Sequence, residues 1–499
     1  MSARHWLLQR AEQTPDAPAL ESSGAVWTFA ELAERARRGA AFVLGTLPAG
    51  DAPLALLLPG GADFAAWFHA VALAGRTVLP LNTRLTCGEL VQQLTDARVS
   101  WLLGEVGDAR LDELARQVPG LSIWVAPSLA ALPGPPPSLP GETIEEGGTL
   151  AVLFTSGTTG RAKGARLSWG NFVASARGAA DRLGPTVGGR WLACMPLFHV
   201  GGLSILMRGA LFGGPVRLQP SFDAAAVSDA LDRGDIAGLS LVPTMLSRLL
   251  EYRAGRPSPS GLRVLLLGGA PVAPDLLRRA FDAGFPVCPT YGLTEATSQV
   301  ATAAPPQPHA TDPSPMRPLS GIELRIVDED RDLPPGVAGE IAVRGATVMQ
   351  GYLNDAQATQ RALRAGWLFT GDIGYLDATG GLRVLDRRDD LVITGGENVY
   401  PAEIEAVLLE YPGVAEVGVA GVRDTDLGAR VVAWVVKRPG AEVDVAALDR
   451  LCRARLAGYK RPREFRIVDA LPRNAAGKLQ RRRLGAIRSP VTVLSPRGD

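Results

Sequence analysis

Between Thr155 and Ala165 the chain reads Thr155-Ser156-Gly157-Thr158-Thr159-Gly160-Arg161-Ala162-Lys163-Gly164-Ala165. Hydroxyls, glycines and one lysine this close together suit a polyphosphate. Glycines let backbone N–H groups approach phosphate oxygens with no Cβ in the way, and Lys163 adds a mobile positive charge. The apolar run Ala151 to Phe154 just before it predicts a short buried strand leading into the loop. The spacing differs from the GxxxxGK[ST] phosphate loop, because Arg161 and Ala162 separate Gly160 from Lys163. Taken alone, such a stretch also suits a flexible connection.

Three further motifs follow in order. Tyr291-Gly292-Leu293-Thr294-Glu295 offers an aromatic face for adenine, a hydroxyl for an α-phosphate and a carboxylate for a hard divalent ion. Thr370-Gly371-Asp372 offers a carboxylate that could accept hydrogen bonds from ribose hydroxyls, with Arg387 after it. Pro472-Arg473-Asn474-Ala475-Ala476-Gly477-Lys478 reads as a turn presenting one lysine. Each has a structural reading when alone; the four in this order point to nucleotide chemistry. Two cation-bearing positions lie on apolar ground. His199, within Met195-Pro196-Leu197-Phe198-His199-Val200-Gly201-Gly202-Leu203, is either a core histidine or part of an acid pocket. Arg208 ends the apolar run Leu203 to Met207. There it either meets an anion through its bidentate fork or packs its stem inward with the head in solvent.

Together these motifs resemble the adenylate-forming superfamily of acyl-CoA synthetases, peptide-synthetase adenylation domains and luciferases, from Trp6 to about Leu484. The resemblance implies ATP, Mg²⁺ and CoA. It implies that Thr155, Ser156, Gly157, Thr158, Thr159, Gly160 and Lys163 close over the β- and γ-phosphates. Gly269, Ala270 and Tyr291 would border adenine, Thr294 would touch the α-phosphate and Glu295 would help hold Mg²⁺. Asp372 and Arg387 would hold ribose. Lys478 would bridge carboxylate and α-phosphate, Asp389 would be the hinge, and the loop Gly395-Gly396-Glu397-Asn398 would reach the thiol. His199 falls in what resembles the family's acid-pocket segment, counted both as a catalytic and as a substrate-binding candidate; Arg208, Thr297 and Ser298 are further candidates for binding the acid. Pro196 to Ser204, Leu266 to Pro271, Thr290 to Gln299 and Asp386 to Glu405 look most similar to the 2-succinylbenzoate–CoA ligases of menaquinone biosynthesis. Their substrate carries a second carboxylate, which gives an extra cation a chemical purpose. A medium-chain or aryl acyl-CoA synthetase would share the catalytic motifs and differ in pocket lining. A peptide-synthetase-like module is disfavoured by the short chain after Lys478. A non-catalytic nucleotide-binding protein would be expected to lack Lys478 or Glu295.

Positioning such residues takes a large scaffold, and 499 residues suffice for two to four compact units. Strand-like runs (Leu54 to Leu58, Arg76 to Leu81, Arg263 to Leu267, Phe285 to Cys288) alternate with helix-like ones (Ala62 to Ala74, Pro274 to Asp282). That alternation predicts α/β layering. Proline-rich Ala126 to Glu146 reads as a surface connection. Beyond Leu385-Asp386-Arg387-Arg388-Asp389-Asp390 the units shrink, with a helix starting at Pro401 and strands at Val414 to Val422 and Val431 to Lys437. The expected division is a large multi-sheet domain over 1–386, a smaller mobile α+β domain over 387–490 and a tail over 491–499, as in the resembling family. Lys and Arg number 52 against 51 Asp and Glu, so no global field draws in nucleic acid or an anionic membrane. Cys87, Cys194, Cys288 and Cys452 are scattered without CxxC spacing, which suits a reducing compartment. With no signal-like start and no apolar run near membrane-spanning length, a cytoplasmic protein is expected. Neither a monomer nor a homo-oligomer is singled out.

Overall fold

The computed structural model describes all residues except 1, 49, 51, 135–137, 156–161, 271, 308–309, 388–389, 391, 395–396, 425–426, 457, 474–478 and 488–499. For 2, 185, 187, 386–387, 393, 397–398 and 428 only the backbone is described. The chain divides into two compact units made of interleaved segments rather than by one cut. The first comprises Met1–Gly269, Ala280–Leu324 and Ala342–Phe369; the second comprises Ala270–Arg279, Arg325–Ile341 and Thr370–Asp499.

Two large sheets build the first unit. One has the strand order Lys163–Ser168, Thr149–Thr155, Val78–Pro80, Leu54–Leu57, Trp101–Gly104, Ser122–Val125. Its last five strands are mutually parallel and Lys163–Ser168 returns antiparallel on Thr149–Thr155. Strands covered on both faces carry continuous apolar runs rather than alternation, as Leu54–Leu57 does with every residue buried. Helix Ala62–Leu73 is apolar on all sides and correspondingly buried from Phe64 to Leu73. The second sheet has nine strands, in the order Arg317–Pro318, Ser298–Thr302, Val287–Leu293, Val264–Leu267, Gly238–Leu241, Trp191–Ala193, Val216–Leu218, Pro18–Ser22, Ala25–Thr28. It is parallel from Val287–Leu293 to Pro18–Ser22 and antiparallel at both margins. Ligands in such sheets gather beyond the carboxyl ends of the strands. Here those ends run directly into Cys194–His199, Gly268–Gly269 and Thr294–Ser298.

Two expectations change. Ala126 to Glu146 is not merely a surface connection: Leu129, Leu139 and Ile144 are buried, and Thr143–Glu145 pairs with Ser2–Arg4. Its prolines mask a few apolar anchors too sparse to show a period. The strand expected at Phe285 to Cys288 instead spans Val287–Leu293, so Tyr291 and Gly292 sit within a sheet rather than after it.

In the second unit, Asp372 to Leu376 pairs antiparallel with Leu382–Arg387. Farther on, Val414–Asp424 and Gly428–Lys437 form an antiparallel pair, and Glu464–Val468 joins the latter in parallel. Helices Pro401–Leu408 and Val445–Arg455 pack on one face through Ile404, Leu408, Leu448 and Cys452. Trp434, Val468, Leu471 and Leu484 close the other. This is the small α+β arrangement expected. Among the described residues no helix is long and apolar enough to cross a membrane. All four cysteines are free, and burial pushes the Cys194, Cys288 and Cys452 thiols up to about 12.

The first unit also buries two histidines. His5 lies edge-on to Trp169 at 5.2 Å and to His69 at 5.6 Å between ring centroids. Among the described residues, neither ring nitrogen of His5, nor Nδ1 of His69, has a hydrogen-bond partner. Burial holds His69 down at about 4 and, helped by His69 and Arg4, holds His5 well below its ordinary 6.5. Both are therefore neutral in the fold and protonate on unfolding, so their contribution to stability is complete above pH 6.5 and is lost as pH falls toward the folded-state values. Unfolding free energy from urea titrations should fall by about 1.4 kcal/mol per pH unit per histidine below pH 6.5. His5→Phe should give a shallower slope than the parent chain; equal slopes would contradict this assignment.

Candidate active site

Strand Thr149–Thr155 and strand Lys163–Ser168 place Thr155 opposite Lys163, with the Thr155 Oγ1 hydroxyl 3.5 Å from the Lys163 carbonyl oxygen. The hydroxyl-rich segment is thus the connection of a β-hairpin. The chain returns as a strand rather than a helix. Ser156, Gly157, Thr158, Thr159 and Gly160 lie outside the described residues. The edge strand is covered in turn by residues 350–353. Gln350 N–H donates to Arg166 O at 2.9 Å, Arg166 N–H to Gly351 O at 3.0 Å and Leu353 N–H to Gly164 O at 2.7 Å.

The second motif forms an unusual turn. Tyr291 is buried in its strand, and the pairing shifts register between Tyr291 and Gly292. A Cβ on Gly292 would lie 1.7 Å from Ser298 O, so only glycine fits. Thr294–Ala296 makes a 3₁₀ turn, after which Thr297 (φ 52°) and Ser298 (φ 89°) both adopt left-handed backbone. Two successive non-glycine residues there persist only when their surroundings over-determine them. Ser175 Oγ donates to Thr297 O at 2.6 Å, Thr297 Oγ1 donates to Thr347 O at 2.7 Å, and Met349 N–H donates to Glu295 O at 2.8 Å. One turn before Ser175 on helix Trp169–Leu183, Asn171 Nδ2 donates to Ala346 O at 2.7 Å and Val348 O at 2.9 Å. Asn171 Oδ1 meanwhile accepts from Ser168 N–H as half of a capping box. One helix face therefore holds both loops that frame Glu295.

This geometry corrects one expectation. Thr297 is 0% exposed and its hydroxyl is engaged by Thr347, so its side chain serves the turn rather than the acid; Ser298 is half-buried. Sequence reasoning missed Asn171, Ser175, Thr347 and Tyr352. Only the Ser168-to-Asn171 spacing, a helix-start signature, could have drawn attention to one of them.

His199 leads into helix Val200–Phe212. A Cβ on Gly202 would lie 2.3 Å from Pro196 O, so a glycine is required where the Pro196–His199 segment crosses the helix. Burial and Arg84 bring His199 down to about 4, leaving a neutral imidazole at pH 7 whose Nε2 has no hydrogen-bond partner. Arg208, on the same helix, is 4% exposed. Its Cζ sits 4.6 Å from the Trp191 ring centroid. Its Nε and Nη2, and Ser204 Oγ one turn earlier, have no hydrogen-bond partners among the described residues. Burial lowers Arg208 to about 10, so it stays charged at neutral pH. A buried guanidinium without acceptors is costly unless an anion meets it.

Gly269 (φ 82°) ends strand Val264–Leu267 in the first unit, while Ala270 belongs to the second. In the second unit Asp372 is buried and stands opposite Arg387 in the antiparallel register. Its backbone is set by Thr370 Oγ1, which accepts from Asp372 N–H at 3.1 Å and donates to Ile341 O at 2.8 Å. Only the backbone of Arg387 is described, and Asp389, Gly395, Gly396 and Lys478 lie outside the described residues.

A unit of two α/β sheets carrying a pinned Thr-Glu turn, followed by a small α+β unit, is the arrangement expected of a nucleotide-dependent enzyme. Residues 7–353 match the AMP-binding enzymes and residues 403–478 the AMP-binding enzyme C-terminal domain; the chain belongs to this family. A 2-succinylbenzoate–CoA ligase of Geobacillus kaustophilus is 43% identical over 482 residues, covering 96% of this chain and 97% of that one. One of Bacillus cereus is 41% identical over 481 residues, with 96% and 97% covered. Among solved structures, the o-succinylbenzoate CoA synthetase (MenE) of Bacillus subtilis in complex with its acyl-adenylate intermediate superposes with a TM-score of 0.90. It is 36% identical, covering 98% of this chain and 99% of that one.

Removing the Ser175 hydroxyl would leave the Thr297 carbonyl without its donor. Ser175→Ala should therefore lose about 1–3 kcal/mol of unfolding free energy in urea. An unchanged midpoint would show that the turn is held without Ser175.

Proposed function

We propose that this chain is a 2-succinylbenzoate–CoA ligase of menaquinone biosynthesis, AMP-forming and dependent on ATP, Mg²⁺ and CoA. The observation that carries the choice of acid is Arg208: a charged guanidinium, buried, with Nε, Nη2 and the neighbouring Ser204 hydroxyl lacking acceptors or donors. A second carboxylate on the acid supplies the missing partner through charge-assisted hydrogen bonds. A monocarboxylic acid does not.

The reaction brings two anions together. A carboxylate oxygen of the acid attacks the α-phosphorus of ATP and pyrophosphate leaves; the CoA thiol then attacks the acyl carbon and AMP leaves, giving the thioester. In this reading the hairpin from Thr155 to Lys163 cradles the β- and γ-phosphates, Gly269, Ala270 and Tyr291 border adenine, and Asp372 with Arg387 holds ribose. Thr294 meets the α-phosphate and Lys478 draws carboxylate and phosphate together. His199 stays neutral and, with Ser298, lines the acid pocket without adding charge. Glu295 and Thr294 present only oxygen, the donor set a hard divalent ion prefers. Mg²⁺, when bound through Glu295, would offset phosphate charge. Among the described residues no group of three or more His, Cys, Asp or Glu could hold a metal. Rotation about Asp389 would withdraw Lys478 and bring Gly395-Gly396 to the thiol. The free thiols suit a reducing cytoplasm.

Two outcomes are expected. Arg208→Met should lower kcat/KM for 2-succinylbenzoate by about 30-fold to several thousand-fold, from roughly 2–5 kcal/mol for an unpaired buried anion, while aryl monocarboxylates lose little. A ratio between the two acids that matches the parent enzyme would assign Arg208 to structure alone. Lys478→Ala should abolish acyl-adenylate formation yet leave thioester formation from preformed acyl-AMP near normal; equal loss in both half-reactions would contradict its placement at the first step.

A further inference from the structure

Between the phosphate hairpin and the Thr294-Glu295 turn stands Tyr352. Its phenol O–H donates to Glu295 Oε1 at 2.9 Å, and the Lys163 ammonium nitrogen lies 5.3 Å from the centroid of its ring. Strand geometry explains the meeting. Tyr352 bridges Ala165 across the antiparallel edge. Lys163 and Ala165 project to the same side of their strand, so Lys163 is the diagonal neighbour of Tyr352, within reach of an aromatic ring. The position is rigid. Gly351 before it has φ 122° and admits no Cβ, which would fall 2.7 Å from Thr359 Cγ2. Tyr352 N–H donates to Thr359 Oγ1 at 2.9 Å, and Met349, three residues earlier, is bonded to the backbone of Glu295 itself.

We infer that Tyr352 is a positioning residue for phosphate and metal binding: its hydroxyl orients the Glu295 carboxylate while its ring holds Lys163 at the base of the phosphate hairpin. A direct Lys163–Glu295 ion pair would satisfy each charge with the other and leave little of either for a ligand. The Tyr352 ring competes with such a pair for the ammonium. It attracts the ammonium through its π face without occupying an N–H donor in a hydrogen bond. The hydroxyl takes one lone-pair direction of Oε1 and leaves Oε2 outside that hydrogen bond. The inference rests on the nucleotide–metal reading of this site, and concerns how the chain prepares it.

Tyr352→Phe keeps the ring and removes the hydroxyl; Tyr352→Leu removes both. Binding is read without catalysis, as Mn²⁺ affinity by electron paramagnetic resonance with ATP present and acid absent, and as ATP affinity by calorimetry in EDTA. The Phe variant should bind Mn²⁺ about tenfold more weakly, the range for loss of an outer hydrogen bond to a metal ligand, with metal-free ATP affinity and urea midpoint near those of the parent. The Leu variant should lose several-fold in metal-free ATP affinity as well. Parental Mn²⁺ affinity in Tyr352→Phe, or equal losses of Mn²⁺ and metal-free ATP in both variants, would overturn the assignment. Failure of the parent enzyme to bind Mn²⁺ with ATP would overturn the nucleotide reading beneath it.

Discussion

The hydrogen bond from Ser175 to the carbonyl of Thr297 is the constraint on which the candidate site depends. Thr297 and Ser298 hold backbone that side-chain-bearing residues rarely adopt, and that conformation turns the chain so that Thr294 and Glu295 leave the end of one strand while Ser298 begins the next. Within the turn Thr297 N–H donates to Thr294 O at 3.0 Å, and the remaining support comes from outside it. That support includes the helix that directly follows strand Lys163–Ser168, so two of the candidate segments share one scaffold. Asn171 shows the same economy of placement, capping the start of that helix with one side-chain atom and holding residues 346 and 348 with another.

Electrostatics then sets what such a frame can do. Two negatively charged reactants meet only if charge is offset by groups fixed beforehand, since reorganising them at the moment of reaction would forfeit the gain. The Tyr352 ring lies 5.3 Å from the Lys163 ammonium while its hydroxyl meets Glu295, and Arg208 is buried against Trp191 with no carboxylate partner among the described residues. His199, kept neutral by burial, adds shape without charge.

Much of this was legible in the sequence, for physical reasons. Buried parallel strands announce themselves as short apolar runs, so Leu54–Leu57 and Val264–Leu267 matched expectation closely, as did helix Pro274–Asp282 with its proline start. The hydroxyl-glycine-lysine run suggested phosphate chemistry by composition but not that strands pair on either side of it; that follows from Thr155 standing opposite Lys163, a tertiary fact. Thr297 was read as facing the acid because it neighbours Glu295, and only three-dimensional structure reveals that its hydroxyl meets residue 347. Ser175 and Tyr352 carry no local signal, and Asn171 only its capping distance from Ser168, because a polar side chain looks the same whether it faces water or a carbonyl or carboxylate fifty to two hundred residues away. Arg208 stood out because a cation ending an apolar run is costly wherever it lands.

The central claim, that this fold activates 2-succinylbenzoate as an adenylate, is tested most directly by isotope exchange between pyrophosphate and ATP, measured with each of a series of carboxylic acids and no CoA. The account predicts exchange that requires Mg²⁺ and is fastest with 2-succinylbenzoate, with benzoate and medium-chain fatty acids far slower. Exchange equally fast with monocarboxylic acids, or absent with 2-succinylbenzoate while present with another acid, would contradict it.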